Sequence, residues 1–159
     1  MAVATNLSPY EIERNKPMPN FVHGVLQSKI SRLLGNQYEN KFLFPNELSL
    51  NTTPGSTPDI CIYPKRKLTV IGIDAKEGEA PITTIEIQSP SQSIDELMLK
   101  AQNLYFPMGV QSAWIVIPAL KAIQVIFPKK EHLLFTTGDL KDPTTKITLN
   151  IEKVFEDLV

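Results

Sequence analysis

Two acidic residues set on strand-like segments have the types and spacing that metal-assisted hydrolysis needs. Pro58-Asp59 opens the apolar stretch Ile60-Cys61-Ile62-Tyr63, and Glu86 follows 27 residues later inside Thr84-Ile85-Glu86-Ile87-Gln88. The second segment alternates polar and apolar residues, so Thr84, Glu86 and Gln88 share one face of a strand. If the two strands are neighbours, opposed side chains stand about 4.5–5.5 Å apart at Cβ. Carboxylates that close repel, and one is driven toward its neutral form unless a cation joins them. Mg²⁺, with Mn²⁺ as a substitute, is the natural cation, because it takes hard oxygen ligands and keeps several waters. A water so bound loses a proton more easily, and the ion offsets charge on a phosphodiester's non-bridging oxygens. The backbone carbonyl of Ile87 is a further candidate ligand. The plainer alternative is that Pro58-Asp59 merely starts a turn and Glu86 faces solvent.

Other site chemistries find no support. The chain has neither GxGxxG nor GxxxxGK[ST] for phosphate, and its one cysteine, Cys61, rules out a cysteine-rich zinc site. The two histidines, His23 and His132, form no HExxH, and no GxSxG marks a nucleophilic serine. The formal net charge of −1 argues against tight non-specific nucleic-acid binding by a monomer. Lys65 to Lys67 and Lys129-Lys130 are the dense basic spots, and solvated turns account for both. A lone cysteine, no apolar run of about 18 residues, and no signal-peptide pattern over Met1 to Ser8 lead us to expect a reducing cytoplasm.

The elements that must position the acidic pair are legible in outline. Asn20 is a candidate N-cap for a helix from about Phe21 to Tyr38, where Phe21, Val25, Ile30, Leu33 and Leu34 roughly follow a helical period. On that helix His23 and Gln27 lie one turn apart, facing either a cleft or the helix's own polar surroundings. Phe42 to Phe44 and Glu47 to Leu50 read as extended, with Pro45-Asn46 as a bend and a turn at Pro54-Gly55. That turn returns the chain into Asp59 to Tyr63, so the hairpin brings Glu47 near Asp59 as a possible extra ligand. A short strand is possible at Leu68 to Ile73, before an acidic loop. Ser93 and Glu96 have capping-box spacing for a second helix, with Ile94, Leu97, Met98, Ala101, Leu104 and Tyr105 on one face. Strands at Trp114 to Ile117 and Ile123 to Phe127 follow, then two more near Leu133 to Thr136 and Lys146 to Leu149, and a short helix from Ile151. The expected fold is one α/β domain over residues 1–159, a mixed central sheet flanked by helices.

Pro58-Asp59-Ile60 followed by Glu86-Ile87-Gln88 resembles the PD-(D/E)xK motif of restriction-endonuclease-like nucleases. Within that superfamily the chain looks like the large bacterial group of restriction-endonuclease relatives without an assigned function. Tyr10 to Glu13, Pro45-Asn46-Glu47, Ile85 to Ser91, Lys100 to Tyr105, Gly109-Val110 and Trp114 to Val116 carry the likeness, in order, over about residues 10–127. One position departs. The superfamily places a lysine two residues after the glutamate, and here that residue is Gln88. The group resembles this chain in carrying its lysine on the following helix, where Lys100 stands at the border of the apolar stripe. There Lys100 either snorkels to solvent or sends its ammonium to the sheet edge, and the resemblance favours the second.

The resemblance implies a Mg²⁺-dependent endonuclease that hydrolyses phosphodiester bonds in DNA. Asp59 and Glu86 would hold the ion with Ile87 and Glu47 assisting, Lys100 would orient the attacking hydroxide, and Gln88 would hydrogen-bond nearby. It also implies a homodimer, since nucleases of this fold often act as two-fold pairs. The rival from another class is a catalytically silent module of the same fold that binds nucleic acid or protein. Gln88 and the near-neutral charge favour the rival, and the retained acidic pair favours the enzyme.

Overall fold

The computed structural model describes residues 7–14 and 16–159. The opening stretch read for a signal pattern lies mostly outside the described residues. Near the start, α1 (Pro9–Arg14) begins in a capping box. The Ser8 hydroxyl accepts from the Glu11 N–H and the Glu11 carboxylate accepts from the Ser8 N–H, each at 3.2 Å. The following helix, α2 (Phe21–Tyr38), keeps the expected bounds, and the Asn20 side chain caps it at the His23 N–H. Its buried face is Leu26, Ile30 and Leu34, with His23 and Lys29 on the same side.

The strands are β1 (Phe42–Leu43), β2 (Ile60–Pro64), β3 (Thr83–Ile87), β4 (Ser112–Ile117), β5 (Ala122–Ile126) and β6 (His132–Phe135). They form one mixed sheet in sequence order. Only β3 and β4 run parallel. A parallel pair needs a crossover, and here it is helical. α3 (Ile94–Lys100) runs into a π-helical turn (Ala101–Tyr105) and then α4 (Phe106–Met108). Ser93 caps α3, its hydroxyl accepting from the Glu96 N–H at 3.0 Å.

Side-chain alternation divides the core by sheet face. Ile60, Ile62, Ile85, Ile87, Trp114 and Val116 pack with α2. Cys61, Tyr63, Ala113, Ile115 and Ile117 pack with Leu97, Ala101 and Tyr105 of the crossover. A separate hairpin, β7 (Asp139–Asp142) with β8 (Ile147–Asn150), and α5 (Ile151–Val154) complete the α2 side. The buried Asp142 accepts from Trp114 Nε1 at 2.7 Å and Ser112 Oγ at 2.6 Å, which ties this hairpin to β4. This is a mixed α/β sheet with helices on both faces, as the sequence indicates.

Four elements differ from expectation. Leu68 to Ile73 forms no strand, and Leu68, Val70, Ile71 and Ile73 are exposed. β-propensity without an edge to pair with does not make a strand. Glu47 to Leu50 holds the hairpin only through isolated pairings, Asn46 with Ile60 and Leu50 with Ser56. Glu47 sits between them at φ 54°, a left-handed residue that interrupts the ladder. β7 was not expected, because its buried positions are Leu140 and Asp142 and the aspartate breaks the apolar alternation. α1 was not expected either, and it has no buried residue to give an apolar stripe. Among the described residues no helix is long and apolar enough to cross a membrane.

Candidate metal centre

Asp59 sits at the start of β2 and Glu86 within β3, the antiparallel neighbour, where Ile60 pairs with Ile85. Both carboxylates are buried and both reach the same ammonium, that of Lys16. Lys16 Nζ lies 2.5 Å from Asp59 Oδ1, 3.4 Å from Glu86 Oε1 and 2.8 Å from the Thr57 carbonyl oxygen. The pair therefore converges on one ammonium, as its positions on adjacent strands predict.

The remaining oxygens are held from several elements. Asp59 Oδ2 accepts from the Ile87 N–H at 2.7 Å and lies 3.1 Å from His23 Nε2. Gln27 on the next turn of α2 donates its amide to the Asp59 carbonyl at 3.1 Å. Both helix residues thus face the site, and His23 Nδ1 is buried without a partner. Glu86 Oε2 accepts from Lys100 Nζ at 3.1 Å and from the Tyr105 hydroxyl at 3.0 Å. Residues five apart on an α-helix point about 140° apart around the axis. The wider π turn over Ala101–Tyr105 reduces that angle, and it lets Lys100 and Tyr105 meet one carboxylate.

Electrostatics follow from this crowding. Burial pushes the Asp59 pKa up, but the hydrogen bond from His23, the Lys16 charge and the Ile87 N–H outweigh it, and the net shift is downward. Burial disfavours the Lys16 charge, yet Glu86 and Asp59 more than compensate, and its pKa is raised. Burial, then the negative charge of Glu86, holds the Tyr105 hydroxyl well above its ordinary range, so it stays a donor.

Two expected residues sit elsewhere. The Glu47 backbone touches Asp59, its N–H donating to the Asp59 carbonyl at 3.0 Å. Its carboxylate instead takes Arg14 at 2.7 Å and the Tyr10 hydroxyl at 3.3 Å. Among the described residues no three His, Cys, Asp or Glu side chains converge to hold a metal. The Glu47 carboxylate is thus engaged in anchoring α1 and does not join the contacts between Asp59 and Glu86. Gln88 donates its amide to the Gln92 carbonyl at 2.9 Å, so that amide is engaged in the loop after β3.

Sequence reasoning missed Lys16 and the polar role of Tyr105. Lys16 lies between two helices in a stretch whose Pro17 and Pro19 preclude periodicity, so no pattern marks it. Tyr105 is legible only as part of the apolar stripe, and its hydroxyl comes to donate to Glu86 through a π turn that no motif announces.

The donor set suits a hard divalent cation. Asp59 Oδ1, Glu86 Oε1 and the Thr57 carbonyl already surround one cationic nitrogen with oxygen alone. The β2–β3 ladder stops at Ile60 and Ile85, and the Ile87 N–H already points to Asp59. Strand geometry turns the Ile87 carbonyl to the same flank. Beside the pair, an open groove of about 420 Å³ is lined by Lys16, Lys100, Gln92, Glu96 and Asn103 among others.

A crystal structure described as a putative nuclease belonging to DUF820, from Anabaena variabilis ATCC 29413, shares this fold. Its TM-score is 0.71 at 24% identity, over 90% of this chain and 85% of that one. No curated protein matches the chain at a significant level. Residues 6–152 match the Uma2 family, described as "Putative restriction endonuclease", and the chain belongs to that family.

Proposed function

We propose that the protein is a divalent-metal-dependent endonuclease that hydrolyses phosphodiester bonds in DNA, with Mg²⁺ or Mn²⁺ held by Asp59 and Glu86. The observation that carries the proposal is the convergence of these two buried carboxylates on one cation from adjacent strands. A buried acidic pair is costly to fold unless a cation offsets it, and a module that only binds has no use for one. When bound, the ion would supply an easily deprotonated water and offset charge on the scissile phosphate.

The chain's own residues complete the arrangement. The Ile87 N–H and His23 fix the Asp59 carboxylate through Oδ2, leaving Oδ1, now on the Lys16 ammonium, as the oxygen that would take the ion. Tyr105 fixes Glu86 in the same way through Oε2. Lys100, on Glu86 and lining the groove, stands where a phosphate oxygen would arrive and supplies the charge that Gln88 lacks. The Ile87 carbonyl is the proposed main-chain ligand. A homodimer acting in the cytoplasm is part of the proposal, because cutting both strands of a duplex calls for two such sites.

Thermal melts in Mg²⁺ or Mn²⁺ against EDTA test the metal site. At ten times the dissociation constant the expected gain is about 1.4 kcal/mol, or roughly 3–5 °C. Asp59→Ala should remove the shift, and an equal shift in that variant would place the ion elsewhere. Metal binding without cleavage of plasmid or single-stranded DNA would favour the silent module.

A further inference from the structure

We propose that Lys16 is an intramolecular competitor for the divalent ion: its ammonium fills the oxygen cage of the metal-free protein and leaves when the ion enters. The inference rests on reading Asp59 and Glu86 as the metal pair.

Three observations carry it. The Lys16 ammonium touches Asp59 Oδ1, Glu86 Oε1 and the Thr57 carbonyl, the oxygens nearest the point that a shared ion has to occupy. An ion bound at about 2.0–2.1 Å to both carboxylates would lie within contact of that nitrogen, and two bare cations do not share one cage. Lys16 is only 8% exposed, so it belongs to the interior and is not a surface side chain resting there.

The third observation is how Lys16 is held. α1 is pinned over the β1–β2 connection by Arg14 on Glu47 at 2.7 Å, with Arg14 stacked 4.4 Å from the Tyr10 ring. The Lys16 N–H donates to the Glu11 carbonyl at 3.2 Å, which fixes where its stem departs. The chain thus delivers a built-in cation to a pair that would otherwise bury two like charges. On displacement the ammonium has an adjoining place to go, since Lys16 also lines the groove shared with Lys100.

A site blocked by its own lysine binds metal more weakly by the fraction of time it is open. The test compares Mn²⁺ binding by calorimetry to the wild-type chain and to Lys16→Met. It also follows acetylation of Lys16 in the wild-type protein by mass spectrometry, in EDTA and in saturating Mn²⁺. We expect Lys16→Met to bind Mn²⁺ about tenfold or more tightly, since a site closed nine-tenths of the time loses that factor. Lys16 should be slow to acetylate in EDTA and several-fold faster with Mn²⁺. Binding to Lys16→Met alone would be the extreme form of the expected result.

If Mn²⁺ binds the wild type but Lys16 labelling does not rise, or the variant binds no more tightly, the competition is overturned and the metal site stands. If neither protein binds Mn²⁺, the metal-site reading falls and takes the competition with it. Should Lys16→Met fail to fold, labelling of the wild-type protein decides alone.

Discussion

Lys100→Met separates structural from chemical roles at this site. Methionine keeps most of the buried stem and removes the ammonium, which lies 3.1 Å from Glu86 Oε2. Breaking a buried ion pair costs about 3–5 kcal/mol when the surviving charge has no other partner. Glu86 does have others, Tyr105 at 3.0 Å on the same oxygen and Lys16 at 3.4 Å on the second. The loss therefore falls nearer that of one charge-assisted hydrogen bond, about 1.5–3 kcal/mol. At about 2–4 °C per kcal/mol that lowers Tm by roughly 3–12 °C and leaves the chain folded at room temperature. The Mn²⁺-induced rise in Tm should persist, since the ammonium is not a ligand. Cleavage of supercoiled plasmid should fall by about 10²–10³, the usual consequence of removing one preorganised charge from a transition state. Gln88→Lys in the Lys100→Met background restores a cation two residues after Glu86 and should recover part of the rate. Equal cleavage by wild type and Lys100→Met would refute the role given to Lys100. Loss of the metal-induced shift would show that Lys100 organises the site instead of acting on substrate.

Two further outcomes follow from the same contacts. Tyr105→Phe removes one hydrogen bond to a charged, buried oxygen and should cost about 1.5–3 kcal/mol in urea unfolding. An unchanged midpoint would mean that the hydroxyl does not hold Glu86. The second concerns acid stability in EDTA. Asp59 has its folded pKa depressed, so its contribution is fully present above the unfolded value near 3.9 and is lost as pH falls through the lower folded one. Each unit of depression is worth about 1.4 kcal/mol. Asp59→Asn should flatten that limb of the stability profile below about pH 4, and an unaltered limb would show that Asp59 is not the group responsible.

Legibility followed periodicity. The bounds of α2 were readable because Asn20 caps it and the polar residues around Pro19 and Glu39 break the pattern at both ends. β3 was readable from strict alternation, which also put Glu86 on the correct face. β4 was readable because it is apolar throughout, as a strand covered on both faces has to be. Where pattern and packing part company, the sequence misled. Leu68 to Ile73 has the composition of a strand and finds no edge, whereas β7 pairs with β8 although Asp142 is its inward residue. Asp142 is tolerated there because Trp114 and Ser112 donate to it, a pairing of residues 28 and 30 positions apart that no local window sees.

The site shows the same division between what a strand carries and what a fold delivers. Asp59 and Glu86 are legible because backbone alternation alone decides where they point. The groups that neutralise and orient them come from three other places: Lys16 after α1, His23 on α2, and Lys100 with Tyr105 around a π turn. None of these has a fixed spacing from the pair, since each depends on how a helix docks on the sheet. That is also why a glutamine at position 88 does not empty the site of positive charge. The crossover helix brings Lys100 to Glu86 Oε2, so a lysine at position 88 would add a further cation close to a carboxylate that already has one. With Lys16 already on the other oxygens, a third ammonium would add repulsion among cations. Lys100 and the buried Lys16 thus belong to one electrostatic balance, in which two carboxylates are matched by two ammonium groups, and on the proposed reading a divalent ion would replace one of them.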